Sequence, residues 1–392
     1  MELWELQQHI RTLALLGETN SPVISCYLNL GGEPTAYRHV LDERVRQMRK
    51  SLSVSVWRDF VEAMSRIRDY LRDQLSPEAK SVAIFARGGA RPFFLPLEFR
   101  VPLPSHVVIG STPNIFHLVE LKDTYHRFVV LIPTEESARI IEVNLGAVTE
   151  QLWRERPELR KRVGREWSKE QYQNHRHNRA GQFIREKIEL LERLMSAGGH
   201  THLILAGNPR MTARIRKELP KHLADKLVDT VVASGRDRIS DVVAATLNSF
   251  IEQEETESQA VADQLRQEVW KGGLAVIGAS ETFAALQRTQ VDVLILASGY
   301  APPPGWKCLS CDAVGFAERR FNDCSECGAT ELRLMDVREE MTRLAEQTGC
   351  QVEVVNHSDF MVEFGGVGAL LRYFTPEQYQ WRQRGRAAGR IT

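Results

Sequence analysis

Leu274–Ala297 reads LAVIGASETFAALQRTQVDVLILA. A short apolar run opens it, a helical pattern follows, and a continuous aliphatic run closes it. That order predicts a short strand, a helix and a second, buried strand. One such unit already sets the class as layered α/β. Downstream, PPPG (Pro302–Gly305) breaks the chain and opens a cysteine-rich stretch. Beyond that stretch, DVREEMTRLAEQTGCQVEVVN (Asp336–Asn356) reads helix then strand, so the layered fold resumes. The cysteines therefore sit on an insertion, at about 305–330, within this last block. Upstream, helices are expected at about 238–252 and 257–270.

Two further blocks precede it. HRFVVLIPTEESARIIEVNLG (His126–Gly146) reads as two strands joined by a polar turn. A helix is expected at about 183–197, with Ile184, Ile188, Leu191 and Met195 on one face and Arg185, Glu186 and Lys187 elsewhere. HLILAG (His202–Gly207) is a buried strand and PRMTARIRKEL (Pro209–Leu219) another helix. In the first block, Leu3, Leu6, Ile10, Leu13 and Leu16 recur at helical spacing. PVISCYLNL (Pro22–Leu30) and SVAIFAR (Ser81–Arg87) read as strands, with one long helical stretch, about 37–76, between them. The prolines of FFLPLEFRVPLP (Phe93–Pro104) suit edge strands and turns. The expected division is three domains, 1–123, 124–233 and 234–392.

The chain has 392 residues, too many for one ordinary core. It carries 51 basic and 51 acidic residues, so a nucleic-acid surface needs local segregation of charge. No stretch reaches the roughly 18 apolar residues of a membrane span. The N-terminus lacks a basic region before its apolar residues, so no signal peptide is expected. The expectation is a cytoplasmic, monomeric protein with reduced cysteines.

Four of the six cysteines form two pairs, Cys308-x2-Cys311 and Cys324-x2-Cys327, twelve residues apart. Two such knuckles place four thiolates around one tetrahedral Zn²⁺. A closed four-sulfur site leaves no open position, which points to a structural zinc. An iron–sulfur centre and a redox pair at Cys308 and Cys311 are the rivals. Cys26 and Cys350 lie in apolar surroundings and read as core.

Charge does segregate in one place. Arg154–Lys187 holds eleven Lys/Arg and five Glu, a local net of +6 (11 − 5). It is either a solvated helix face or a segment that follows phosphates. Within it, His175, Arg176, His177 and Arg179 lead to Ala180-Gly181-Gln182 and then a helix carrying Arg185. Gln182 offers an uncharged amide that can orient a water. Gly181 permits a close backbone approach.

A basic loop, a Gly-Gly-Gln-like tripeptide and a helix resemble the middle domain of archaeal and eukaryotic class-1 peptide release factors. Leu274–Ala297 is similar to the third domain of release factors and of the related Pelota rescue factors. FGGVGALLRYF (Phe364–Phe374) resembles the glycine-rich end of that domain. Some archaeal relatives carry a zinc ribbon there, and SPVISCYLNL (Ser21–Leu30) suits a bacterial branch. The resemblance implies a three-domain α/β architecture with a zinc-ribbon insertion in the third domain. It implies a factor that enters the ribosomal A site and contacts rRNA and P-site tRNA.

The resemblance also implies a translational GTPase partner at Gly365, Gly366, Gly368 and Arg372. As simple turn glycines, those residues need no partner. His175, Arg176, His177, Arg179 and Arg185 would face RNA, and Ala180, Gly181 and Gln182 the peptidyl-transferase centre. Two departures bear on function. Ala180 stands where the family has its first glycine, and the first block lacks an Asn-Ile-Lys-Ser motif. The expectation is occupation or rescue of stalled or idle ribosomes. The alternative is an active release factor in which Gln182 positions water against the peptidyl-tRNA ester.

Overall fold

The computed structural model describes residues 1–31, 36–49, 53–134, 137–155, 184–197, 200–234, 237–302, 304–311, 313–316 and 323–374. The chain forms two compact units. Tyr125–Glu254 makes the middle one, and Leu3–Thr124 joins Glu255–Thr392 in the other.

The middle unit is a five-stranded sheet of order β7-β6-β5-β8-β9. Strands β5 (Phe128–Pro133), β8 (His202–Gly207) and β9 (Leu227–Val232) are parallel. β6 (Ser137–Asn144) and β7 (Ala147–Glu155) add an antiparallel hairpin. Side chains alternate along each strand, so each buried strand feeds two cores. Val129, Leu131, Leu203 and Leu205 meet helix α5 (184–197) and helix α6 (Pro209–Glu218) on one face. The expected stripe of Ile184, Ile188, Leu191 and Met195 is buried here. Phe128, Val130, Ile132 and Ile204 meet Val242, Val243 and Phe250 on the other face. A short helix α7 (Lys221–Ala224) leads into β9.

Val242, Val243 and Phe250 lie on helix α8, which is continuous from Ile239 to Lys271. Two helices had been expected there. Gln253–Thr256 is polar but contains no glycine or proline, and polarity alone does not end a helix.

The other unit holds two main sheets. The first has order β3-β2-β1-β4, all antiparallel: β1 (Val23–Asn29), β2 (Ser81–Arg87), β3 (Phe93–Phe99) and β4 (His106–Gly110). Ile24, Cys26, Leu28, Val82, Ile84 and Ala86 face Phe60, Met64 and Ile67. These last belong to helix α3 (Val54–Asp73), which follows helix α2 (Ala36–Arg49). The long helical stretch expected at about 37–76 comprises these two helices, with Ser53 at the N-cap position of the second.

The opposite face of that sheet carries Tyr27 and Phe85, their rings edge-on at 5.8 Å. Tyr27 also meets His117 of helix α4 (Phe116–Thr124). Helices α1 (Leu3–Ala14) and α4 both pack on helix α10 (Val337–Thr348), which joins the first and last stretches of the chain.

The second sheet has order β10-β16-β11-β15. Leu274–Ala297 folds as its sequence predicts: β10 (Ala275–Ile277), helix α9 (Ala279–Gln287) and β11 (Val291–Ala297). β11 runs parallel to β15 (Gln351–Val355), with α10 as the crossover. A short helix α11 (Asp359–Glu363) leads to β16 (Val367–Leu371), which lies antiparallel between β10 and β11. The cysteine ribbon leaves after β11 and returns at the start of α10: β12 (Gly305–Cys308), β13 (Val314–Phe316) and β14 (Leu332–Met335), in order β13-β12-β14. It is an insertion in a crossover. Among the described residues no helix is long and apolar enough to cross a membrane.

Candidate functional site

The cysteine ribbon is small. Its core is Trp306, Cys308 and Cys324, with Ala313, Ala329 and Leu332 against them. Trp306 lies across Gly315, where a Cβ would sit 2.2 Å from the indole ring. Such a core cannot hold three short strands by burial alone, so a cross-link is needed. The four thiols supply one. Their sulfurs lie within 4.8 Å of one another, with Cys308 to Cys327 and Cys311 to Cys324 at 3.6 Å. A tetrahedral zinc with bonds of about 2.3 Å sets sulfur–sulfur edges of about 3.8 Å, close to this spacing.

The knuckles are pre-organised for thiolates. Ser310 N–H points at Cys308 Sγ and Glu326 N–H at Cys324 Sγ, both at 3.4 Å. Burial works against the Cys308 thiolate. The N–H groups of Ser310 and Cys311 and the neighbouring thiols outweigh it and draw the thiol down to about 7, while the hydrogen bonds among the four thiols help to push Cys311 up to about 12 and Cys327 up as well, so without a metal the cluster shares its protons rather than holding four thiolates. All six cysteines are free thiols. Cys26 and Cys350 are buried as expected, and desolvation pushes them up to about 12 and about 11. The residues fit a zinc, with Cys308, Cys311, Cys324 and Cys327 as ligands. The metal would supply the cross-link and leave no position for substrate.

The basic loop leaves and re-enters the middle unit at one edge of its sheet. β5 and β7 point the same way, so Pro133 and Glu155 end on that edge. Helix α5 starts there too, because Lys187 Nζ donates to the Thr134 carbonyl at 2.8 Å. Lys187, read as lying off the apolar stripe, is buried. Arg185 is exposed on the first turn of α5. His175, Arg176, His177, Arg179, Ala180, Gly181 and Gln182 lie outside the described residues.

The glycine-rich end brackets β16. Gly365 (φ 87°) is exposed, while Gly366 (φ 74°) and Gly368 are buried. A Cβ on Gly366 would meet Tyr300 Cδ2 at 2.8 Å. One on Gly368 would meet Leu265 Cδ2 at 2.6 Å and the Val276 carbonyl at 3.1 Å. Packing alone therefore requires two of these glycines. Arg372 is exposed and reaches Asp292 Oδ1 with Nε at 3.3 Å.

One half-buried carboxyl has no counterpart in the sequence reading. Glu339, on the first turn of α10, turns its carboxyl onto the backbone of Ile115 and Phe116. The available signal was Asp336-x-x-Glu339, the spacing of a helix start. Asp336 does cap α10, accepting the Glu339 N–H, but the glutamate side chain serves a neighbouring helix.

Residues 113–250 match the profile described as bacterial archaeo-eukaryotic release factor family 10. The peptide chain release factor subunit 1 of Pyrococcus abyssi is 23% identical over 95% of this chain and 98% of its own length. That of Thermococcus onnurineus is 30% identical over 30% of this chain and 32% of its own. Among solved structures, Pelota of Archaeoglobus fulgidus covers 95% of this chain and 93% of its own, at 12% identity and a TM-score of 0.36. The middle of the chain thus carries the profile of bacterial archaeo-eukaryotic release factor family 10, and nearly the whole chain is similar in sequence to an archaeal peptide chain release factor.

Proposed function

We propose that this chain is a ribosome-binding translation factor of the cytoplasm. It occupies the A site of stalled or idle ribosomes as a monomer, in a rescue or hibernation role. The observation that carries this is the alignment along 95% of the chain with an archaeal peptide chain release factor. In this reading the chain works as three domains, 1–123 towards the decoding centre, 124–233 towards the peptidyl-transferase centre and 234–392 towards a translational GTPase. Arg176, Arg179 and Arg185, with His175 and His177, neutralise phosphates of rRNA and P-site tRNA. The single sheet edge that holds both ends of the basic loop favours this, since it lets one rigid scaffold present the loop. Gly365 and Arg372 supply the exposed part of the GTPase edge. Zinc at the four cysteines holds the ribbon.

A second reading is hydrolysis. Gly181 and Gln182 match the last two residues of the release-factor tripeptide, and the Gln182 amide would position a water. Ala180 is the departure that weighs towards occupation.

Co-sedimentation with ribosomes, followed by a peptide-release assay on the same sample, tests both. The proposal expects the chain in the ribosomal fraction, weakened by Arg176→Glu with Arg179→Glu and unchanged by Gln182→Ala. A chain that stays off ribosomes at physiological salt overturns it. Release abolished by Gln182→Ala establishes the second reading instead.

A further inference from the structure

The middle unit holds a cavity of about 760 Å³ that none of the roles above uses. It opens at the carboxyl ends of the three parallel strands, against Pro133 at the end of β5, Asn208 after β8 and Val232 at the end of β9. The chain leaves β5 towards the hairpin on one side and returns as β8 on the other. In open α/β sheets the crevice at such a reversal is where ligands sit, because the flanking loops diverge there.

Its polar lining carries both signs of charge. Helix α6 contributes Arg210 and Arg214. Arg210 is exposed, and among the described residues no carboxylate pairs with its guanidinium. Arg214 has only a loose partner, Glu218 at 3.9 Å. The helix terminus is itself closed, since Asn208 Oδ1 accepts the Arg210 N–H at 2.9 Å. Anion binding therefore falls to the two guanidinium groups. Asp237 also lines the cavity, and one of its oxygens accepts the Ser234 N–H at 2.6 Å. Met211 and Pro133 add apolar surface to the lining.

This combination selects a ligand. A bare anion would gain from the arginines but meet the Asp237 carboxylate. An apolar ligand would desolvate two cations without compensation. A nucleoside phosphate satisfies each part of the lining. Its phosphate meets Arg210 and Arg214, its ribose hydroxyls donate to Asp237, and its base covers Met211 and Pro133. The volume lies within the roughly 300–1,000 Å³ of small-molecule sites. We propose that this cavity is a nucleoside-phosphate binding site. Such a group comes either as a free nucleotide or as one unit of single-stranded RNA. The cavity shares its sheet edge with both ends of the basic loop, which favours the strand. Only that choice of source rests on the ribosome reading.

The test uses the full, metal-loaded chain with two probes, AMP and a fluorescent single-stranded adenylate hexamer. The cavity variant is Arg210→Glu with Arg214→Glu. The control is Arg216→Glu with Lys217→Glu, on the same helix but outside the cavity. We expect at least one probe to bind, and the cavity variant to weaken that binding by about tenfold or more, as loss of charge-assisted contacts to phosphate implies. The control should lose about threefold or less. AMP binding alone assigns a free nucleotide, and hexamer binding lost in the cavity variant assigns the strand. The proposal is overturned if neither probe binds at millimolar concentration, or if both variants lose equally. It is also overturned if only the hexamer binds and the cavity variant, folded by circular dichroism, holds it as wild type does. None of these outcomes depends on ribosome binding, so failure here leaves the co-sedimentation result standing.

Discussion

The Glu339 Oε2 atom accepts the Ile115 N–H at 2.7 Å and the Phe116 N–H at 3.2 Å. A side chain from the last stretch of the chain thus closes the first turn of α4, more than 200 residues earlier. Helix starts leave N–H groups without backbone partners, and a carboxyl oxygen is a good acceptor for them. The residue is half-buried, but its Oε1 atom is shut off from solvent and has no hydrogen-bond partner among the described residues.

That relationship sets a pH dependence. Burial, helped by Asp336, raises the Glu339 pKa from 4.5 to about 8, against the two N–H groups and Arg338. A carboxyl with a raised folded pKa keeps its proton in the native state while the unfolded chain loses it. Its stabilisation is complete below pH 4.5 and declines as pH rises to about 8. The slope is about 1.4 kcal/mol per pH unit across that window. Glu339→Gln keeps an oxygen for the two N–H groups and cannot ionise. Urea melts from pH 5 to 9 should show wild type losing stability relative to this variant as pH rises. A constant difference across that range would count against a protonated Glu339.

Metal removal makes a local prediction. The ribbon has a core of three buried residues, so its order depends on the cross-link. Zinc in small finger-like sites contributes roughly 10–16 kcal/mol. Elemental analysis should find one zinc per chain, and Cys311→Ser should lower that to near zero. Amide exchange in the variant should rise across Gly305–Met335 while strands β5 and β8 stay protected. Iron in place of zinc would give visible absorbance and reassign the site.

Gly366 separates packing from partner contact. It combines φ 74° with a Cβ position 2.8 Å from Tyr300. Gly366→Ala must strain the backbone and displace a buried ring, a cost of about 1–3 kcal/mol. The expected result is a melting temperature lower by several degrees before any partner is added. Gly365→Ala meets nothing within 4 Å and costs only its φ of 87°, about 1–2 kcal/mol. Equal melting temperatures for Gly366→Ala and wild type would remove the packing role.

Much of this was legible in the residues. Val291–Ala297 and His202–Gly207 are aliphatic runs of strand length, and α5 shows its stripe at helical spacing. What escaped was conformation without a compositional mark. The turn from β6 to β7 uses Leu145 at φ 48° and Gly146 at φ 70°. A leucine in the left-handed region hides a two-residue hairpin, so strand β7 went unread. The two helices expected at about 238–252 and 257–270 are one, because nothing in the polar stretch between them stops a helix. The cysteine site was legible because metal geometry fixes spacing. The cavity at the strand ends was not, because Arg210, Arg214 and Asp237 come to line one cavity only once β5, β8 and β9 are paired.

The tripeptide gives the sharpest chemical prediction. Ala180 carries a Cβ where the release-factor pattern has glycine, and a Cβ both restricts positive φ and adds bulk beside RNA. If that methyl group is what limits chemistry, Ala180→Gly should raise peptide release from loaded ribosomes by about tenfold or more. A gain of that size corresponds to about 1.4 kcal/mol of barrier. The added Gln182→Ala change should cancel the gain, since Gln182 is the group that would hold water. Ribosome affinity should stay constant in both variants, because neither alters charge. Release unchanged in Ala180→Gly, with binding intact, would show that the chain lacks more than one glycine. Occupation without hydrolysis would then be its function on the ribosome.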